Sequence, residues 1–147
     1  MTYPKSHGSI TLQSADPFAA PRIDPAYFSD PADLDHLVTG VELAREIAAT
    51  SPLRELIGRE VYPGPTATTK EQIAEAVRLS CNTIFHPTGT CKMGTDAAAV
   101  VDPTLRVRGI RNLRVADASV MPRIIGGNTN APVIMIAEKC ADLVDAS

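Results

Sequence analysis

Cysteine is scarce in this 147-residue chain: only Cys81, Cys91 and Cys140 are present. Their odd number and the lack of any CxxC spacing argue against a disulfide framework or a zinc knuckle, and no metal ligand set is expected. A basic excess is missing too, since 14 lysines and arginines face 17 aspartates and glutamates, a net charge of -3. Composition therefore makes no case for a nucleic-acid partner or for attraction to an anionic membrane. The longest strongly apolar run covers 131–137, far short of the roughly 20 residues that a membrane-spanning helix needs. The opening residues, MTYPKSHGS, hold no apolar stretch of the kind a secretory leader carries. Together these absences predict an intracellular, reduced, cytoplasmic protein. No internal repeat and no low-complexity tract is found.

What is present suits one ordinary domain. Hydrophobic residues make up 44% and charged residues 21% of a 15.6 kDa chain, which argues against global disorder. A chain of this length can bury about 70% of its unfolded surface, enough for a sizeable core. Eight of the 12 prolines fall in the first 65 residues. Fixed φ values and missing donors make that half loop-rich and irregular, more like part of a larger fold than a self-sufficient core.

Ser9-Ile10-Thr11-Leu12 alternates and reads as a short strand. Asp16 to Pro25 reads as an extended loop. Asp30 is a helix N-cap with Pro31 at the first helical position. Leu34, Leu37, Val38, Val41, Ala44, Ile47 and Ala48 follow at helical spacing, and Ser51-Pro52 stops that helix. A short helix is expected from Leu53 to Ile57, and a rigid turn at Tyr62 to Pro65. Thr69 and Gln72 form a capping box for a helix from Lys70 to Cys81. Thr83 to His86 reads as a brief strand. Leucine and valine alternate with arginine in Leu105 to Arg108 and in Leu113 to Asp117, the period-2 pattern of strands. Asn130 caps a final helix whose first two turns are apolar nearly all round, which predicts deep burial.

Two stretches carry chemistry. His86 sits between an apolar stretch and a proline turn, restrained and partly dry. An ordinary histidine titrates near pH 6.5, about where a neutral imidazole can take a proton; a core histidine bonded to a carbonyl fits the same residues. Gly126-Gly-Asn-Thr-Asn130 precedes the final helix, whose N-terminus carries about half a positive charge and unpaired N–H groups. One asparagine can cap that helix, leaving Asn128 either for a ligand or for a turn. Asp117 ends an apolar segment, where it serves a ligand or a cap. Arg106, Arg108, Arg111, Arg114 and Arg123 form a loose cluster that reads as a solvated face, with a phosphate contact as the alternative. Cys91 reads as packing, Asp102-Pro103 as a turn, and His7 and His36 as surface residues.

Taken in order, these stretches are more specific. His86-Pro-Thr-Gly-Thr-Cys-Lys-Met-Gly94, Val101-Asp-Pro-x-Leu-Arg-Val-x-Gly109, Leu113-Arg-Val-Ala-Asp-Ala-Ser-Val-Met-Pro122 and Gly127-Asn-Thr-Asn-Ala-Pro-Val-Ile-Met-Ile-Ala-Glu-Lys139 resemble the C-terminal part of glucose–methanol–choline (GMC) oxidoreductases, choline dehydrogenase-like members above all. Pro4-Lys-Ser-x-Gly8, Asp16-Pro17 and the stretch 33–47 also resemble the substrate domain of that family. The likeness is strongest over 83–144.

The resemblance implies an α+β fold. Residues 1–85 would be mainly a substrate-domain segment. Residues 86–147 would be the active-site segment, returning to the FAD domain as its last strand and helix. It implies FAD-dependent oxidation of an alcohol, with His86 accepting the hydroxyl proton and Asn128 holding the substrate oxygen. Asp117 and Ala118 would lie near the FAD phosphate and ribityl chain, and Asn130, Ala131 and Pro132 at the flavin ring. The family's N-terminal Rossmann part, with its GxGxxG turn, is absent from these residues; the glycines before residue 89 stand alone at 8, 40, 58 and 64. The partners implied are a small-molecule alcohol and the missing FAD-binding domain or a chain that supplies it. The chain alone is expected to be inactive. The alternatives are a non-catalytic truncated remnant and one half of a split enzyme.

Overall fold

The computed structural model describes residues 3–146. It divides into two compact units, Tyr3–Asn82 and 83–146.

The first unit is built on helices α1 (Pro31–Ala48) and α3 (Lys70–Ser80), with a single turn, α2 (Leu53–Leu56), between them. Asp30 caps α1 by accepting the Ala32 N–H, and Pro31 occupies the first turn, where its missing donor costs nothing. Thr69 and Gln72 close the expected capping box on α3, an arrangement worth about 1 kcal/mol. The helical spacing puts Leu34 and Val38 against Ile73 and Val77, with Ala67 completing the core. Fully burying a side chain such as Ile73 stabilises by about 1.5–3 kcal/mol. Arg45 braces the intervening loop: it pairs with Glu60 at 2.9 Å and donates to the Ala67 and Gly64 carbonyls.

The stretch 16–25, expected as loop, contains a strand. Strand β1 (Ser9–Thr11) pairs antiparallel with β2 (Arg22–Asp24), Ile10 opposite Ile23. Three residues fit between Pro21 and Pro25, too few to show an alternating pattern, and both strands are exposed. Gly8 lets this hairpin close. A Cβ there would stand 2.3 Å from the Asp24 carbonyl oxygen and 2.8 Å from Pro25 backbone. Gly8→Ala is therefore expected to force the strands apart and destabilise the hairpin by about 1–3 kcal/mol. Faster amide exchange at Ser9, Thr11, Arg22 and Asp24, the residues of the hydrogen-bonded pairs, is the expected reading; unchanged exchange would show that the backbone accommodates the methyl.

The second unit gathers Val101, Leu105, Val120, Met121 and Ile136 into one core. Its expected strands are not strands. Leu105–Arg108 and Leu113–Asp117 meet in one isolated bridge, Arg106 with Arg114, and Val107 makes another with Val101. Leu105 reaches the core at a φ of 67°, and the chain turns again at Gly109, so no extended run is long enough to build a ladder. Likewise Phe85, at a φ of 61°, breaks the strand expected over Thr83 to His86.

Helix α4 (Asn130–Asp145) corrects two expectations. Its N-cap is Thr129, not Asn130, because the Thr129 carbonyl accepts the first helical bond, from Val133 N–H at 3.0 Å. Nor is α4 deeply buried. Ile136 is its buried residue, while Ile134 and Met135 are 54% and 60% exposed. Its first two turns are apolar nearly all round, but the second unit covers one side of them.

Candidate functional site

Every candidate residue lies in the second unit. His86 follows the strained Phe85, whose amide donates to Thr83 Oγ1 at 3.0 Å. This turn brings His86 Nδ1 to 2.5 Å from the Ile84 carbonyl oxygen. A carbonyl oxygen only accepts, so Nδ1 carries the proton, and in the neutral ring Nε2 keeps its lone pair. Both readings of the residue thus meet: His86 is bonded to a carbonyl, yet it is half-buried and not a core residue.

The segment that starts at His86 is fastened to the one that carries Asp117 and Ala118. Cys91 N–H donates to the Ser119 carbonyl at 3.0 Å, and Met93 N–H to the Val120 carbonyl at 2.8 Å. Asp117 is exposed and accepts the Ser119 N–H at 2.8 Å, capping the 3-10 turn Ala118–Val120. Val120 and Met121 then share a core with Ile136 of α4. Three separated stretches of sequence are held together in this way.

Asn128 is exposed just before α4, as is Asn130. Among the described residues, the Asn128 amide has no hydrogen-bond partner, and no bond joins it to His86. Thr129 supplies no side-chain cap. The N–H groups of Asn130 and Ala131 accordingly have no acceptor among the described residues, and Pro132 has no N–H to satisfy. Helix α4 thus presents an open, partly positive N-terminus. No group of three or more histidine, cysteine or acidic side chains that could hold a metal occurs among the described residues, and no described helix is long and apolar enough to cross a membrane.

Comparison with known proteins decides the family. The family model described as GMC oxidoreductase matches residues 4–137. The chain belongs to the GMC oxidoreductase family. It is 49% identical over 141 residues to an alcohol dehydrogenase [acceptor] of Pseudomonas putida, covering 96% of this chain and 26% of that protein. It is 45% identical over 148 residues to choline oxidase of Arthrobacter globiformis, covering 98% of this chain and 27% of that one. Among solved structures, a formate oxidase of Aspergillus oryzae, studied for modification of its FAD, superposes with a TM-score of 0.87 at 36% identity, over 97% of this chain and 25% of that chain. This GMC chain thus spans about a quarter of the length of the relatives it matches, and that quarter is their C-terminal family domain.

Two features escaped the sequence reading. The φ of Phe85 leaves no sequence signal, because nothing in Ile-Phe-His-Pro demands it. Asp33 is 1% exposed and receives the backbone N–H groups of Lys5 and Ser6 at 2.8–3.1 Å. Its sequence position, in the first turn of a helix, suggests only a favourable charge at an N-terminus.

Proposed function

We propose that this GMC chain carries the proton-handling part of an FAD-dependent oxidation of an alcohol to its aldehyde or ketone, in an assembly whose FAD-binding portion lies outside these residues. The observation that supports it most is the His86 Nδ1 contact with the Ile84 carbonyl, which leaves Nε2 as a proton acceptor. His86 Nε2 takes the hydroxyl proton of the substrate, and the resulting alkoxide becomes a carbonyl as its carbon releases hydride. The Asn128 amide donates a hydrogen bond to the substrate oxygen and stabilises the charge that develops there. FAD, when bound, supplies the hydride acceptor at N5. Asp117, Ala118, Asn130, Ala131 and Pro132 would hold it. The open N-terminus of α4 suits a group that gains negative charge, since its free N–H groups and the helix dipole both favour an anion.

Asn128 is tested by Asn128→Ala in a hybrid where this chain replaces the matching C-terminal quarter of the Pseudomonas putida relative. Losing one hydrogen bond to a charged oxygen, worth about 1.5–3 kcal/mol, predicts flavin reduction slower by about tenfold to a hundredfold. The loss should be smaller than for His86→Ala, because the base remains. A larger loss at Asn128 than at His86 would reverse the two roles.

A further inference from the structure

Four of the chain's 14 basic residues, Arg106, Arg108, Arg111 and Arg114, line one open cleft of about 510 Å³ in the second unit. Two of them are committed to backbone. Arg108 donates to the Gly94 and Asp96 carbonyls, both at 2.8 Å. Arg114 donates to the Thr104 carbonyl at 3.3 Å and the Leu143 carbonyl at 3.1 Å. Among the described residues, the guanidinium groups of Arg106 and Arg111 make no hydrogen bond and no salt bridge, although the charge of Arg106 acts on the Asp102 carboxylate. Asp102 is the acidic residue on the wall, and its Oδ1 accepts from Thr104 N–H, Thr104 Oγ1 and Arg106 N–H. Arg106 and Arg111 are therefore the two guanidinium groups on this wall that no backbone carbonyl holds, beside one carboxylate that is turned into its own loop.

The cleft is also shaped in advance. Val107 N–H donates to the Leu113 carbonyl at 2.9 Å, and the Arg106–Arg114 bridge closes the base of the loop. Gly109 and Asn112 hold left-handed dihedrals, φ 80° and 59°, that set the turn between them. Little ordering is left for a ligand to impose. Planar guanidinium forks match phosphate oxygens two at a time, and two free forks suit a group with several phosphates better than one carboxylate. The volume lies within the range of small-molecule sites, about 300–1,000 Å³, and the chain's acidic balance disfavours a nucleic-acid strand.

We infer that this cleft binds a small phosphate-bearing anion, of the di- or triphosphate class, through Arg106 and Arg111. The inference rests on the 102–114 loop alone and stands apart from the oxidation proposed above. The test is titration of tripolyphosphate into isotope-labelled chain, read by nuclear magnetic resonance. Saturable shifts at the amides of Val107, Gly109 and Leu113 are expected. Arg106→Gln with Arg111→Gln should weaken binding about tenfold or more, as loss of charge-assisted bonds does. Arg123→Gln, outside the cleft lining, should leave it unchanged. Both replaced side chains are exposed and unbonded, and an unchanged circular dichroism spectrum confirms that the fold is kept. A parallel titration with ADP identifies the source: tighter ADP binding points to a nucleotide, tighter tripolyphosphate binding to a free polyphosphate, and either keeps the site. No saturable shift, equal affinity in the double variant, or an equal loss in Arg123→Gln would overturn it.

Discussion

Replacing His86 by alanine in the hybrid enzyme is expected to slow alcohol-dependent flavin reduction by about 10²- to 10⁴-fold, the usual range for loss of a general base. The reason lies in the imidazole's fixed tautomer. The Ile84 carbonyl holds the proton on Nδ1, so the lone pair of Nε2 is committed before substrate arrives. Alanine removes the acceptor and leaves the hydroxyl proton to water. Stopped-flow reduction of the flavin measures the loss. An unchanged rate would remove His86 from the chemistry.

Replacing Asp33 is expected to have the largest effect on folding. Its carboxylate is 1% exposed and accepts the Lys5 and Ser6 N–H groups, 28 and 27 residues away in sequence. Asp33→Ala strands those donors beside α1, and a loss of about 2–4 kcal/mol of stability in urea unfolding of the chain follows. Burial pushes this carboxyl up, but the donors at Lys5 and Ser6, with the charge of His36, outweigh burial and hold it below the usual carboxylate value. A depressed folded value means that the stabilisation is present above the unfolded carboxylate value of about 3.9 and is lost as pH falls through the folded one. Asp96 and Asp102 are held low as well, Asp96 chiefly by the Ala98 N–H and Asp102 by the Thr104 hydroxyl. They remain in Asp33→Asn, so the difference between wild-type and variant stability curves isolates Asp33. That difference should shrink below about pH 4. A constant difference down to pH 2 would show that the Asp33 charge is not what holds Lys5 and Ser6.

The helices of the first unit were legible because their signals are local. Asp30 and Pro31 mark one start, Thr69 and Gln72 another, and the apolar spacing between them names the core. Strands were harder. Arg106 and Arg114 alternate with apolar neighbours as strand residues do, yet Leu105 adopts a left-handed φ to reach the core, and the ladder stops at single bridges. That choice is tertiary and leaves no mark in Leu-Arg-Val. The candidate residues His86, Asn128 and Asp117 were named from ordered motifs. What motifs do not contain is the backbone stitching of Cys91 and Met93 onto Ser119 and Val120, or the partners of Asp33, since both join residues far apart in sequence. The open N-terminus of α4 was half legible: the glycine and asparagine stretch announced it, but the absence of a side-chain cap is a matter of Thr129 dihedrals.

The most direct measurement is anaerobic flavin bleaching by an alcohol, made on the purified chain with added FAD and on the hybrid with the Pseudomonas putida portion. The account predicts no bleaching by the chain alone and alcohol-dependent bleaching by the hybrid, abolished or slowed at least a hundredfold by His86→Ala. Bleaching by the chain alone would show that these residues suffice for catalysis. A hybrid that holds FAD but never bleaches, whatever the alcohol, would contradict the claim that His86 and its neighbours form a working half of the site.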